Sequence, residues 1–105
     1  MSGQAGSATP APDTSVGLDV VPRIGAGFRL QWEAVQDCHV LLYPEGMVKL
    51  SQTAGEILKR CDGQRCLAEI VAQLEAVFAT TGLGADVQAF VQVAGTQRWL
   101  TWAGR

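Results

Sequence analysis

The stretch HVLLYPEGMVKLS, His39 to Ser51, constrains the fold more than any other part of this 105-residue chain. Two apolar runs flank Tyr43-Pro44-Glu45-Gly46. The ring of Pro44 sets its own φ for the second position of a β-turn, and Gly46 suits the fourth. Val40-Leu41-Leu42 and Met47-Val48-Lys49-Leu50 are therefore read as the arms of a hairpin. The second arm is short and apolar, an edge that invites pairing with another chain unless something covers it.

The segment before the hairpin supplies a neighbour for its first arm. Phe28-Arg29-Leu30-Gln31-Trp32 alternates between apolar and polar, the period of a half-buried strand, and places Phe28, Leu30 and Trp32 on the core face. Glu33 to Asp37 is polar enough to be a turn, so three short antiparallel strands are expected. Helical spacing follows. Ser51 can cap a first helix, Thr53 with Glu56 is a second capping pattern, and Ala54, Ile57, Leu58 and Cys61 form its stripe. Lys59 and Arg60 suit its last turn, and Asp62-Gly63 ends it. A second helix begins at about Leu67, with Leu67, Ile70, Val71, Leu74, Val77 and Phe78 on its apolar side. Cys66 is a poor cap, so its first turn is expected to fray. After a loop from Thr80 to Gly84, a third helix over Ala85 to Thr96 turns Val87, Phe90, Val91 and Ala94 inward. Trp99, Leu100 and Trp102 form a terminal apolar patch. The expected class is α+β, winged-helix-like, with three short antiparallel strands followed by a three-helix cluster on which the small sheet must pack.

Residues 1–21 are mostly Gly, Ala, Ser, Thr, Pro and Asp, too poor in apolar surface to order themselves. The expected organisation is a disordered tail over 1–21 and one folded domain over 22–102. The tail has neither a basic start nor an apolar core of the secretory kind, and no run approaches the ~20 residues of a membrane helix. Cys38, Cys61 and Cys66 are an odd number without a C-x-x-C pair. That favours free thiols in a reducing, cytoplasmic setting over a disulfide framework.

Catalytic chemistry finds little to stand on. The one histidine, His39, lies on a strand next to the core, where a structural role is commoner than a base. No glycine-rich phosphate loop, no metal-ligand spacing and no paired carboxylates occur, so neither an enzyme nor a metal or other cofactor is expected. A winged helix is often a DNA reader, but the third helix contains no Lys or Arg. Its one charge is Asp86, and the net charge of the chain is −2. Phosphate neutralisation, which carries much of DNA affinity, is missing. What the helix offers is apolar width, since Ala89, Phe90 and Val93 extend its apolar surface sideways. That surface can be sunk in the core, form a dimer contact, or be one wall of a groove whose other wall is Met47 to Leu50.

Taken together, GFRLQWE, HVLLYPEGMVKLS, A-G-E-I-L, CDG and the following EI-x-x-x-L resemble the PqqD family of precursor-peptide recognition elements, over about Val21 to Leu100. The resemblance implies a non-catalytic chaperone of pyrroloquinoline quinone (PQQ) biosynthesis. Such a domain binds the precursor peptide PqqA and presents it to PqqE, a radical S-adenosylmethionine enzyme. It also implies that the peptide is clamped as an added strand between the third strand and the third helix. On these residues the peptide site would comprise Met47, Val48, Lys49 and Leu50 with Asp86, Ala89, Phe90 and Val93. Arg29, Lys59 and Arg60 are candidates for the surface that meets the enzyme. A winged-helix DNA-binding protein, or a homodimer that closes the open edge with a second copy, are the alternatives. Monomer and homodimer both stay open.

Overall fold

The computed structural model describes residues 16–102. The strands are β1 (Arg23–Ile24), β2 (Arg29–Glu33), β3 (Cys38–Tyr43), β4 (Gly46–Lys49) and β5 (Leu100–Thr101). Between β4 and β5 lie α1 (Gln52–Lys59), α2 (Leu67–Val77) and α3 (Gly84–Thr96). The three-stranded sheet has the order β2-β3-β4, antiparallel throughout. Pro44 and Glu45 make the hairpin loop between the paired Tyr43 and Gly46, and neither has a positive φ. The expected α+β class, with three antiparallel strands followed by three helices, is the one found.

The register explains how the sheet meets the helices. Leu30, Leu41 and Val48 lie side by side across the three strands, and this row packs into the core with Ile57, Leu58, Leu67, Ile70, Leu74 and Val91. The neighbouring row places Trp32 opposite His39. There the alternation is a poor guide. Trp32 is 51% exposed, its ring meeting the His39 imidazole edge-on at 5.0 Å instead of entering the core. His39 in turn fills the space beside Gly55 of α1, where a Cβ would lie 2.8 Å from Nδ1. A side chain at position 55 would therefore push helix and sheet apart.

The helix signals act as their chemistry requires. The Ser51 hydroxyl caps α1 by accepting from the Ala54 N–H at 3.1 Å. Gly63, just past the helix, has φ +77°, a conformation that Gly adopts without strain. The α2 stripe is buried at Leu67, Ile70, Val71 and Leu74, but Val77 is exposed, because the helix ends there and the core does not extend past Leu74 and Phe78.

Two features differ from expectation at the chain's ends. The boundary at Pro22 lies too late, since Val16 and Val20 are buried in the core. The carbonyls of Val20 and Leu18 accept the N–H groups of Leu67 and Ala68 at 2.8 and 2.9 Å. The first turn of α2, expected to fray, is thus held by a remote strap, and the Glu69 carboxylate adds an acceptor for the Cys66 N–H at 3.1 Å. The remainder of the expected tail, residues 1–15, lies outside the described residues. The second feature is a two-stranded ribbon, β1 with β5, which pairs Arg23 with Thr101 and Ile24 with Leu100. It fixes the terminal apolar patch, with Leu100 buried and Trp99 and Trp102 packed against the core.

Candidate functional site

β4 is an edge strand, paired with β3 on one side only among the described residues. The Leu50 N–H donates to the His39 carbonyl at 3.0 Å, which sets the phase of the ladder. In an antiparallel pair every second residue is hydrogen-bonded to its partner. Gly46, Val48 and Leu50 therefore turn their backbone groups toward β3, while Met47 and Lys49 turn theirs outward. Side chains alternate too: Val48 packs against the core, and Met47 and Lys49 are exposed. Leu50 departs from the expected role, because its side chain is only 7% exposed and its N–H is already used within the sheet.

On α3, Val87, Val91 and Ala94 are buried, Phe90 is half-buried, and Asp86 and Ala89 are exposed. Val93 is 58% exposed. Beside Phe90 opens a cleft of about 340 Å³. Asp86, Val87 and Phe90 line it from α3, and Ser51, Thr53, Ala54 and Ile57 from the start of α1. Leu74, Phe78 and Leu83 complete it from α2 and the loop after it. The structure thus brings Asp86 and Phe90 together in one concavity, but Met47 to Leu50, Ala89 and Val93 do not line it. The sequence pattern gives no direct sign of the contributions from α1 and α2, whose apolar stripes look like ordinary core. The small Ala54, in a stripe with Ile57, Leu58 and Cys61, is the one hint of missing volume.

The three basic candidates are not equivalent. Arg29 is exposed on β2. Lys59 is 48% exposed and lies 3.7 Å from the Glu56 carboxylate. Arg60, only 12% exposed, bonds the Glu56 carboxylate at 2.6 Å, the Glu56 carbonyl at 2.9 Å and the Gln73 side-chain oxygen at 3.2 Å. It ties α1 to α2 and is no free cation. Its hydrogen bond holds the Glu56 carboxyl below the usual range, against the opposing effect of burial. Among the thiols, Cys61 is buried, donates to the Ile57 carbonyl at 3.2 Å, and is pushed up to about 12 chiefly by desolvation. It packs as a small hydrophobe and has no thiolate to offer near neutral pH.

The sequence pattern of the family described as "Coenzyme PQQ synthesis protein D (PqqD)" matches residues 38–100, from β3 to β5. The chain belongs to the PqqD family. A relative from Pseudomonas aeruginosa, named "PqqA binding protein", is 56% identical over 84 residues, covering 79% of this chain and 91% of the relative. A protein of the same name from Kluyvera intermedia is 51% identical over 83 residues, covering 78% and 90%. Among solved structures, the chain is similar to the solution NMR structure of the PqqD truncation of Methylobacterium extorquens PqqCD. That structure is described as a functional and stand-alone recognition element for ribosomally synthesized and post-translationally modified peptides. The TM-score is 0.68 at 30% identity, over 83% of this chain and 94% of the other. The PqqD fold is thus carried here by the sheet, the three helices and the ribbon.

Proposed function

We propose that the chain is a non-catalytic peptide chaperone of PQQ biosynthesis that binds the precursor peptide PqqA as an added strand on β4 and presents it to the radical enzyme PqqE. The observation that carries this reading is the outer edge of β4, where Met47 and Lys49 turn backbone groups outward, without a strand partner among the described residues and in the register of a further strand. The names of the Pseudomonas and Kluyvera relatives and the description of the Methylobacterium structure support the choice of ligand. Each main-chain hydrogen bond nets about 0.5–1.5 kcal/mol, and each fully buried apolar side chain about 1.5–3 kcal/mol. A few of each, less the ordering of a flexible peptide, give binding in the micromolar range or tighter, near about −8 kcal/mol.

The test is a titration of the precursor peptide against the unaltered chain, Lys49→Pro and Val48→Pro, with melting temperatures beside it. Proline at position 49 removes an outward N–H and leaves the ladder to β3 intact. It should weaken binding by roughly 3- to 10-fold, the loss of one hydrogen bond, with little change in stability. Proline at position 48 removes a bond within the sheet and should destabilise the fold instead. Unchanged affinity in folded Lys49→Pro would mean that the peptide does not add to this strand. Light scattering over a concentration series separates this reading from a homodimer that uses the same edge.

A further inference from the structure

The strap from Val16 to Val20 grips two helices at once. Val16 and Val20 are buried, and Leu18 between them is exposed. The carbonyls of Val20 and Leu18 accept from Leu67 and Ala68 in the first turn of α2. The Val16 carbonyl accepts from the side-chain amide of Gln88, on α3, at 2.8 Å. Among the described residues this is the one side-chain hydrogen bond from α3 to another segment, since the Thr96 hydroxyl bonds within the helix.

The start of α3 is otherwise lightly held. Its N-cap is Leu83, which gives no side-chain cap, and its first residue is Gly84. The Leu83 N–H is taken by the Glu75 carboxylate at 3.0 Å. The far end is fixed by the Trp99 N–H, which donates to the Ala94 carbonyl at 2.9 Å, and by the Trp102 ring against Gly95. Between the ends the helix rests on Val87, Val91 and Ala94. Apolar burial is not directional, so this stripe resists lifting more than rolling. At 3.6 residues per turn Gln88 lies about 100° to one side of Val87, and Phe90 and Val93 lie about 60° and 120° to the other. The tether and the open flank of α3 are therefore on opposite sides of the line about which the helix would roll.

We propose that the strap is a latch on α3: Val16, Val20 and Gln88 are positioning residues that hold the flank with Phe90 and Val93 where an added strand on β4 can meet it. The inference rests on the strand-addition reading and goes beyond it. Gln88 lies on the other flank of α3, and Val16 and Val20 lie on the strap, so none belongs to the groove itself. The closed latch is the structure described. Opening it frees the N–H groups of Leu67 and Ala68 and the Gln88 amide together, while the sheet and helices stay packed. A short segment held by three carbonyls and two side chains opens locally more easily than a core helix. A peptide that binds only the closed form binds more weakly the more often the latch is open. By linkage, bound peptide holds the latch closed.

The experiment titrates the full chain, Gln88→Leu, Gln88→Lys and Gly25→Ala with the PqqA precursor peptide at a temperature where all are folded. Gln88→Leu keeps the size and removes the donor, and should bind about 3- to 10-fold more weakly, the range that one hydrogen bond allows. Gln88→Lys supplies a donor again and should bind as the unaltered chain does. Gly25→Ala strains the ribbon and spares the latch, so its affinity should not change. Amide hydrogen exchange on the unaltered chain needs no variant to fold. Leu67 and Ala68 should exchange faster than Leu74 in the free chain, because opening of the strap alone exposes them. Saturating peptide, which touches neither, should slow both severalfold. Unchanged exchange at Leu67 and Ala68 on binding, or equal affinity in Gln88→Leu, would overturn the latch and leave strand addition standing. An equal loss in Gln88→Lys or in Gly25→Ala would overturn it too, since the effect would not follow the bond to Val16. No binding by the unaltered chain would overturn the proposed function, and the latch with it.

Discussion

The two ends of this small domain treat their backbone in opposite ways. At one end the chain closes on itself. Gly63 donates to the Pro22 carbonyl, Gly25 to that of Trp99, and the first turn of α2 to Leu18 and Val20. All of these join segments far apart in sequence. At the other end β4 leaves Met47 and Lys49 without a strand partner among the described residues, and α3 leaves Val93 in water. The closing bonds at the first end run between main-chain groups, whereas the outer edge of β4 has no strand partner among the described residues.

The largest expected effect separates the two faces of α3. Val91 is fully buried, whereas Val93, two residues on, is exposed. Val91→Asp places an unpaired carboxylate in the core and should cost on the order of 3–5 kcal/mol, enough to unfold a marginal domain. Val93→Asp should stay within about 0.5 kcal/mol in a thermal melt and still weaken precursor binding, because the peptide must desolvate the new charge. If Val93→Asp unfolds the domain, the open face of α3 belongs to the core and the contrast fails.

A smaller effect tests the closed end. A Cβ at position 25 would clash with the Arg98 carbonyl oxygen, a backbone atom that cannot swing aside. Gly25→Ala should lose about 1–3 kcal/mol through the forced shift, with peptide affinity unchanged in the folded fraction. At position 84, in the first turn of α3, a Cβ would meet nothing within 4 Å. Gly84→Ala should be neutral or stabilise by up to about 1 kcal/mol, since Ala loses less freedom than Gly in a helix. Equal melting temperatures for the two variants would show that the ribbon contributes little to closure.

The hairpin and all three helices are legible in the sequence because their signals are local. Pro44 and Gly46 punctuate the turn, Ser51 caps α1, and the apolar stripes repeat at helical spacing. The strap is hard to read, since Val16, Leu18, Val20 and Val21 end a run of small and polar residues, and only the folded core shows that Val16 and Val20 are buried. The ribbon is also hidden, because Arg23–Ile24 and Leu100–Thr101 are too short to show a period. Trp32 misleads because alternation gives the face of a residue but not where along the sheet the helices stop. At the candidate site, the edge strand and the apolar width of α3 can be read directly. The cleft cannot, because its walls come from three helices whose separation is a tertiary property. Leu50 and Arg60 change role for similar reasons, one taken by the core and one by Glu56.

The smallest effect lies between the two ends, in the bridge from α1 to α2. Glu56 is held below its usual range by its bond to Arg60. Its folded-state value is the lower one, so its contribution is present above the unfolded value and is lost as pH falls through the folded one. Because the pair is partly exposed, the loss should be about 0.2–1 kcal/mol. Denaturant midpoints near neutral pH and below about pH 4 should show this step in the unaltered chain and not in Glu56→Gln. A Glu56→Gln protein with the same pH dependence would assign the step to other carboxyls.

The β1–β5 ribbon also bears on the order of folding. Arg23 and Thr101 are the widest-spaced strand partners among the described residues, and the entropy lost in closing a loop grows with its length, though slowly. The hairpin and the helices draw on neighbours in sequence and can form early, whereas the ribbon must wait for the last residues of the domain.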